Sequence, residues 1–276
     1  MTTSAVQKRP VPPVRDIAAI MGSGETGIPP EMALRAWRRR AAETCLEAAF
    51  LPEKTALTSF LVNALYLFGD NAIVAFGGAP EEVTAELTRL GHGVSAGPGI
   101  PGRVPRGTAR NSAEGRFDRA VLLAQALGRG GDGDILEQLR AMHRAVRPGG
   151  LVCFHAFDRD RAWSLAGTRH VTAEGRRARV DVAFDPSTGR ISARLAGAAG
   201  AQGKEGAGCG GFAAVKAWNR SEIEALLRGA GLRLERVYGD WEGRGPEAAA
   251  SGRLIVVAAK PRRARKRAGT GKGGSP

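Results

Sequence analysis

The stretch from Phe117 to Phe154 is compatible with few folds. Phe117-Asp118 opens an apolar run, Ala120-Val121-Leu122-Leu123-Ala124. After Asp134, Ile135, Leu139, Met142 and Val146 fall on one stripe of a helix of ordinary period. Arg147-Pro148-Gly149-Gly150 terminates that helix and leads into a second apolar run, Leu151-Val152-Cys153-Phe154. Runs that are apolar at every position suit strands buried on both faces. Strand, helix, Gly-stopped turn and strand in about 40 residues form the crossover that joins neighbouring parallel strands. The expected core is therefore an α/β domain around a mostly parallel sheet.

The flanking sequence extends that unit. Ala72 to Phe76 is another continuous apolar run, followed by the tight turn Gly77-Gly78-Ala79-Pro80. A helix is expected from Glu81 to Leu90 with Gly91 as its stop, then a short strand at Gly93 to Ala96. Residues 98–115 read as loop. Upstream, apolar residues at helical spacing predict helices at Glu31–Leu51 and Thr55–Phe68, a helical cap over residues 31–70, after an irregular segment 1–30. Val180 to Phe184 and Ile191 to Leu195 are strands joined by the turn Asp185-Pro186-Ser187-Thr188-Gly189. They sit in an antiparallel insertion at about residues 168–217 that contains a flexible Gly/Ala-rich loop at 197–211. Asn219 and Glu222 make a capping box for the helix Ser221–Ala230. Leu232–Tyr238 and Leu254–Ala259 close a domain of residues 71–260.

The formal net charge is +14. Seven cations lie in an acid-free tail, Lys260, Arg262, Arg263, Arg265, Lys266, Arg267 and Lys272. Residues 261–276 therefore read as a disordered basic tail, the one place where the sequence offers a nucleic-acid partner. No apolar stretch approaches the ~18 residues of a membrane span. Cys45, Cys153 and Cys209 fit no disulfide or zinc spacing. They read as reduced thiols of a cytoplasmic protein without a bound metal. Gly22-Ser23-Gly24-Glu25-Thr26-Gly27 matches a dinucleotide fingerprint, but Ile28-Pro29-Pro30 interrupts before a helix and it reads as a loop.

Four pieces in order resemble class I S-adenosylmethionine-dependent methyltransferases of the small-molecule type. They are Phe117-Asp118 through Gly128, the helix ending in Arg147-Pro148-Gly149-Gly150, the Asp185–Arg190 hairpin, and an ending that runs Ala230-Gly231-Leu232, Val237-Tyr238-Gly239-Asp240 and Arg253 to Ala258. The resemblance implies a Rossmann-like, mostly parallel seven-stranded sheet whose last strand is inserted antiparallel. It also implies S-adenosylmethionine as cofactor and methyl transfer to an O or N atom of a small-molecule acceptor. In that family the first strand ends in an acid followed by a Gly-x-Gly-x-Gly turn, and the second in an acid that holds the ribose hydroxyls. Here Gly77, Gly78 and Ala79 fall on the turn, Ala75 on the first acidic position, and Gly97-Pro98 on the second.

The resemblance places Gly77, Gly78, Ala79 and Gln125 at the cofactor, Gln125 just after its strand. His155 and Asp158 are expected just past the next strand, at the carboxyl edge where ligands bind in open α/β sheets. His155 is the candidate general base, and Asp158, Trp218 and Tyr238 are candidate acceptor-binding residues. The second reading, motivated by Ala75, Glu81 and Pro98, is a methyltransferase-like protein that has lost catalysis and serves as a binding or scaffolding partner.

Overall fold

The computed structural model of the chain describes residues 54–76, 81–97, 114–128, 132–173, 176–196, 212–249 and 251–262. The expected segment 1–30 with its fingerprint loop, the helix at 31–51, the Gly77–Pro80 turn, most of the 98–115 loop, the 197–211 loop and most of the basic tail lie outside these residues.

Helix α1 (Lys54–Ala64) precedes β1 (Ala72–Ala75), α2 (Glu81–Arg89) and β2 (Gly93–Ala96). The crossover follows as β3 (Phe117–Leu127), α3 (Asp132–Ala145) and β4 (Val146–Asp158). A 3-10 helix, Arg159–Leu165, leads to β5 (Gly167–Ala173), β6 (Arg176–Asp185), β7 (Arg190–Ala196) and β8 (Phe212–Trp218). Then come α4 (Arg220–Gly229), β9 (Arg233–Tyr238) and β10 (Arg253–Ala259).

The main sheet runs β2-β1-β3-β4-β10-β9. Its first three pairings are parallel, and β10 alone is reversed, antiparallel to both β4 and β9. Six strands of the expected seven are described. β5 to β8 form the antiparallel insertion, which rejoins the main sheet where Phe157 and Asp158 pair with Ala217 and Trp218.

The sheet is covered on both faces, which is why its strands are apolar at consecutive positions. Val74, Phe76, Leu122, Val152 and Phe154 face α3 and α4, meeting Ile135, Leu139, Ile223 and Leu227. Ile73, Ala75, Val121, Cys153 and Val257 face α1 and α2, meeting Leu57, Phe60, Leu61, Val83 and Leu87. The capping box of α4 forms as the sequence predicts: Asn219 accepts from the Glu222 amide, and Glu222 from the Asn219 amide at 2.9 Å.

Two boundaries differ from expectation. Val146 to Gly150 belong to β4 rather than ending α3, because Val146 pairs with Phe117 and the Gly149 and Gly150 backbones exchange hydrogen bonds with Lys260 at 2.8 and 2.9 Å. β3 runs through Gln125 to Leu127, past a register shift between Leu122 and Leu127. Among the described residues, no helix is long and apolar enough to cross a membrane.

The amino edge of the sheet is tied by side chains. Asp118 accepts from the Ala72 amide at 2.8 Å and pairs with Arg147 at 2.7 Å. Arg119 donates to the Leu65 carbonyl at 2.7 Å, binding the end of α1 to β3. Asp118 is thus a single carboxylate linking β1, β3 and β4. Asp118→Ala leaves the Ala72 amide without its acceptor and is expected to lower stability by about 1–3 kcal/mol, read as a lower urea midpoint with an unchanged slope.

Candidate functional site

Strand order fixes where a ligand crevice can form. The chain leaves β1 towards β2 on one side, and β3 lies on the other, so β1 is the point at which the order reverses. In open α/β sheets, ligands bind beyond the carboxyl ends of strands at such a point. Phe76 and Glu81 bracket the expected cofactor turn, while Gly77, Gly78 and Ala79 themselves lie outside the described residues. The ends of β1 and β3 are locked together there by the Phe76 amide donating to Val121 at 2.8 Å.

The floor of this crevice is small and apolar. Ala75 is 3 % exposed and sits in one rung with Val121, Cys153 and Val257. Burial pushes the Cys153 thiol up to about 12, so it is an inert core group here. Gly97 donates its amide to the Ala75 carbonyl at 2.8 Å. A Cβ on Gly97 would lie 2.9 Å from the Val74 Cγ2 and 3.2 Å from the Ala75 oxygen. Any larger residue at position 97 therefore has to move β1.

The other half of the carboxyl edge carries four of the expected site residues. His155, Ile255 and Tyr238 form one rung across β4, β10 and β9. Phe60 of α1 stands edge-on to Tyr238 at 5.1 Å and to Trp241 at 5.3 Å, and Trp241 lies 5.8 Å from His155. His155 is 3 % exposed. The Tyr238 hydroxyl accepts from Arg236 at 3.4 Å. Trp241 is held by a tight loop in which Asp240 accepts from the Glu242 and Arg244 amides at 3.1 and 3.0 Å.

Asp158 and Trp218 belong to a different group. They pair opposite each other where β8 meets β4. Asp158 caps the 3-10 helix, its carboxylate accepting from the Asp160 amide at 3.0 Å, and its own amide donates to Gly252 at 2.9 Å. Burial raises its pKa, opposed by the Asp160 amide. Trp218 is buried with Phe76, Leu127 and Ile223, and the Lys216 ammonium lies 4.1 Å over its ring.

Three expected placements are corrected. His155 and Asp158 are inside β4, not past it, because β10 pairs with β4 from Leu151 to Phe157 and keeps the strand extended beyond its most apolar run. Gln125 is inside β3, not after it, and its side chain lies outside the described residues. The structure gathers His155, Tyr238 and Trp241 but sets Asp158 and Trp218 apart from them. Phe60, the residue that holds this aromatic group to α1, was legible only as one apolar position of a helix.

No protein-family model matches the chain, and no curated protein matches it in sequence. Solved structures do match. The CcbJ methyltransferase of Streptomyces caelestis superposes with a TM-score of 0.55 at 16 % identity, over 81 % of this chain and 98 % of that one. An S-adenosylmethionine-dependent methyltransferase of Clostridium acetobutylicum gives 0.56 at 10 % identity, over 80 % and 97 %. The fold is that of a class I methyltransferase.

Within that fold the two positions expected to carry acids are Ala75, closed into the core, and Gly97, pressed on β1. Neither can take a carboxylate without a change in packing. Among the described residues, no cluster of histidine, cysteine and carboxylate side chains has the arrangement to hold a metal ion. Ala75→Asp is expected to cost at least about 2 kcal/mol at pH 7, because the new carboxylate has no partner in an apolar cluster. Burial raises its folded-state pKa, so the ionic part of the penalty vanishes well below the unfolded value and grows as pH rises through it, on top of the pH-independent cost of the added bulk. Urea unfolding of both proteins at pH 4 and pH 7 measures that difference.

Proposed function

We propose that the protein transfers a methyl group from S-adenosylmethionine to an O or N atom of a small molecule, in the cytoplasm. The observation that carries this reading is the class I strand order, with its reversal at β1 and the Gly77-Gly78-Ala79 connection at that point. The described floor suits such a cofactor sterically, since Ala75, Ala96 and Gly97 put no bulk at the ends of β1 and β2. Gly77, Gly78 and Ala79 would hold the cofactor by close backbone approach, with Gln125 beside them at the end of β3. The cofactor supplies an electrophilic methyl group. The chain's own residues then have to orient the acceptor in line and keep water out, which accounts for most of the rate in such a transfer.

Tyr238 and Trp241 stand on the acceptor side of this arrangement. Lying under Trp241 at the level of Ile255, His155 serves as a packing and positioning group in this reading. His155→Phe is expected to preserve activity within about tenfold and to add no new limb to the pH profile of kcat. Loss of a limb near neutral pH would return to His155 the role of general base.

A second reading is favoured by Ala75 and Gly97. Without either acid, the chain would be a methyltransferase-like protein that binds or scaffolds without catalysis. Losing a charged hydrogen-bonding partner costs about 1.5–3 kcal/mol, so the loss of both weakens binding by orders of magnitude. Isothermal titration with S-adenosylmethionine and S-adenosylhomocysteine separates the two. Methyl transfer requires measurable heat and a raised Tm, both lost in Gly77→Val. No heat and no thermal protection at millimolar ligand would overturn the enzyme reading in favour of the second.

A further inference from the structure

Among the described residues, the antiparallel insertion has one packed face and one that is half-buried to exposed. On the packed face, Val180, Val182, Ile191, Ala193 and Val215 pack on Phe157 and on Ala162 and Leu165 of the 3-10 helix. The pairing register fixes what the other face carries. One rung is Thr168, Asp181, Arg194 and Phe212, and another is Asp185, Arg190 and Lys216. Between them lie only the small residues Ala183, Ser192 and Ala214, and Arg179 follows two positions before Asp181. Phe212 is 55 % exposed, and Arg179 and Arg194 are exposed with it.

Among the described side chains of this face, Arg179, Arg190, Arg194 and Lys216 outnumber Asp181 and Asp185, and both acids are turned to local partners, Arg179 being one of them. Asp185 accepts from the Ser187 amide at 2.9 Å and from the Ser187 and Thr188 hydroxyls at 2.6 and 2.8 Å. Asp181 accepts from the Thr168 hydroxyl at 2.7 Å and from Arg179 at 3.2 Å. Along a strand, side chains on one face repeat at about 6.6 Å, and neighbouring strands lie about 4.8 Å apart. The Arg190–Lys216 rung and Arg194 therefore stand about 13 Å apart, a distance that an extended sugar–phosphate chain spans with one phosphate between the two contacts.

We propose that the outer face of the β5–β8 sheet, which carries Arg179, Arg190, Arg194, Lys216 and Phe212, binds single-stranded nucleic acid. Arg179, Arg190, Arg194 and Lys216 neutralise phosphates, and the Phe212 ring offers a platform to an unpaired base, the combination that serves sequence-tolerant single-strand binding. The face lacks the apolar centre of a stable protein–protein interface, and one phenylalanine is too little for a lipid surface. A flat sheet face also enters neither groove of a duplex as a helix or ribbon does. The inference does not rest on methyl transfer.

Fluorescence anisotropy of labelled dT20, and of a duplex of equal length, tests it with the full chain between 50 and 200 mM KCl. Binding of dT20 should weaken with salt, and Arg190→Ala/Arg194→Ala/Lys216→Ala should reduce the log–log slope by about two, at ~0.7 per phosphate contact. Phe212→Ala should weaken dT20 binding by about tenfold and leave the duplex unchanged. Arg194→Gln alone, with thermal midpoints of every variant, guards against unfolding as the cause. A chain lacking residues 263–276 should keep these differences. The proposal is overturned if the chain does not bind dT20 at 50 mM KCl, if the triple variant keeps the full slope, or if the tail deletion alone abolishes binding.

Discussion

Strand β4 is hydrogen-bonded to three others, and the placement of each layer depends on it. β3 pairs along one side of it, β10 along the other, and β8 joins its last two residues beyond the point where β3 departs. From Val152 to Asp158 this strand has no solvent-facing side, so that part of its sequence is buried throughout and largely apolar. The same strand fixes the height of His155, the cap made by Asp158 and the attachment of the insertion sheet. That attachment needs an unusually close approach, since Gly128 lies so near the β8 backbone that a Cβ there would collide with the Lys216 carbonyl. The Lys216 amide donates to Gly128 at 3.0 Å across this contact.

The two halves of the carboxyl edge follow different rules. At the ends of β1 and β2, Ala75, Ala96 and Gly97 are small and carry no carboxylate. Over β4, β10 and β9 the residues are large, aromatic and braced by α1 through Phe60. The first half leaves space and supplies little charge; the second supplies shape. An α/β sheet tolerates such asymmetry because its stability comes from the two apolar layers, to which the edge residues add little.

Most of the architecture is written in local sequence. Ala72–Ala75, Gly93–Ala96 and Arg253–Ala259 stand out as short apolar or β-prone runs, α3 and α4 by their period, and the β6–β7 hairpin by its Asp-Pro-Ser-Thr-Gly turn. Strand ends are less legible because pairing partners set them. Arg147-Pro148-Gly149-Gly150 reads as punctuation, yet the chain stays extended through it because Phe117 and Lys260 offer partners from distant positions. His155 and Asp158 were legible as residues of the carboxyl side, but their depth was not. That depth depends on how far β10 follows β4, which no local pattern encodes. The grouping of Phe60, Tyr238 and Trp241 across a separation of some 180 positions is likewise a product of packing alone.

The reversal of β10 also decides which edge its last residues reach. Because this strand runs against its neighbours, it delivers Lys260 to the amino edge, where the Lys260 ammonium donates to the Val146 carbonyl at 2.8 Å. Arg262 then lies against Gly149 on the same side. The carboxyl ends of β1 and β3, where the strand order reverses, lie at the opposite edge, so the Lys260 anchor and the expected ligand side stand on opposite ends of the sheet.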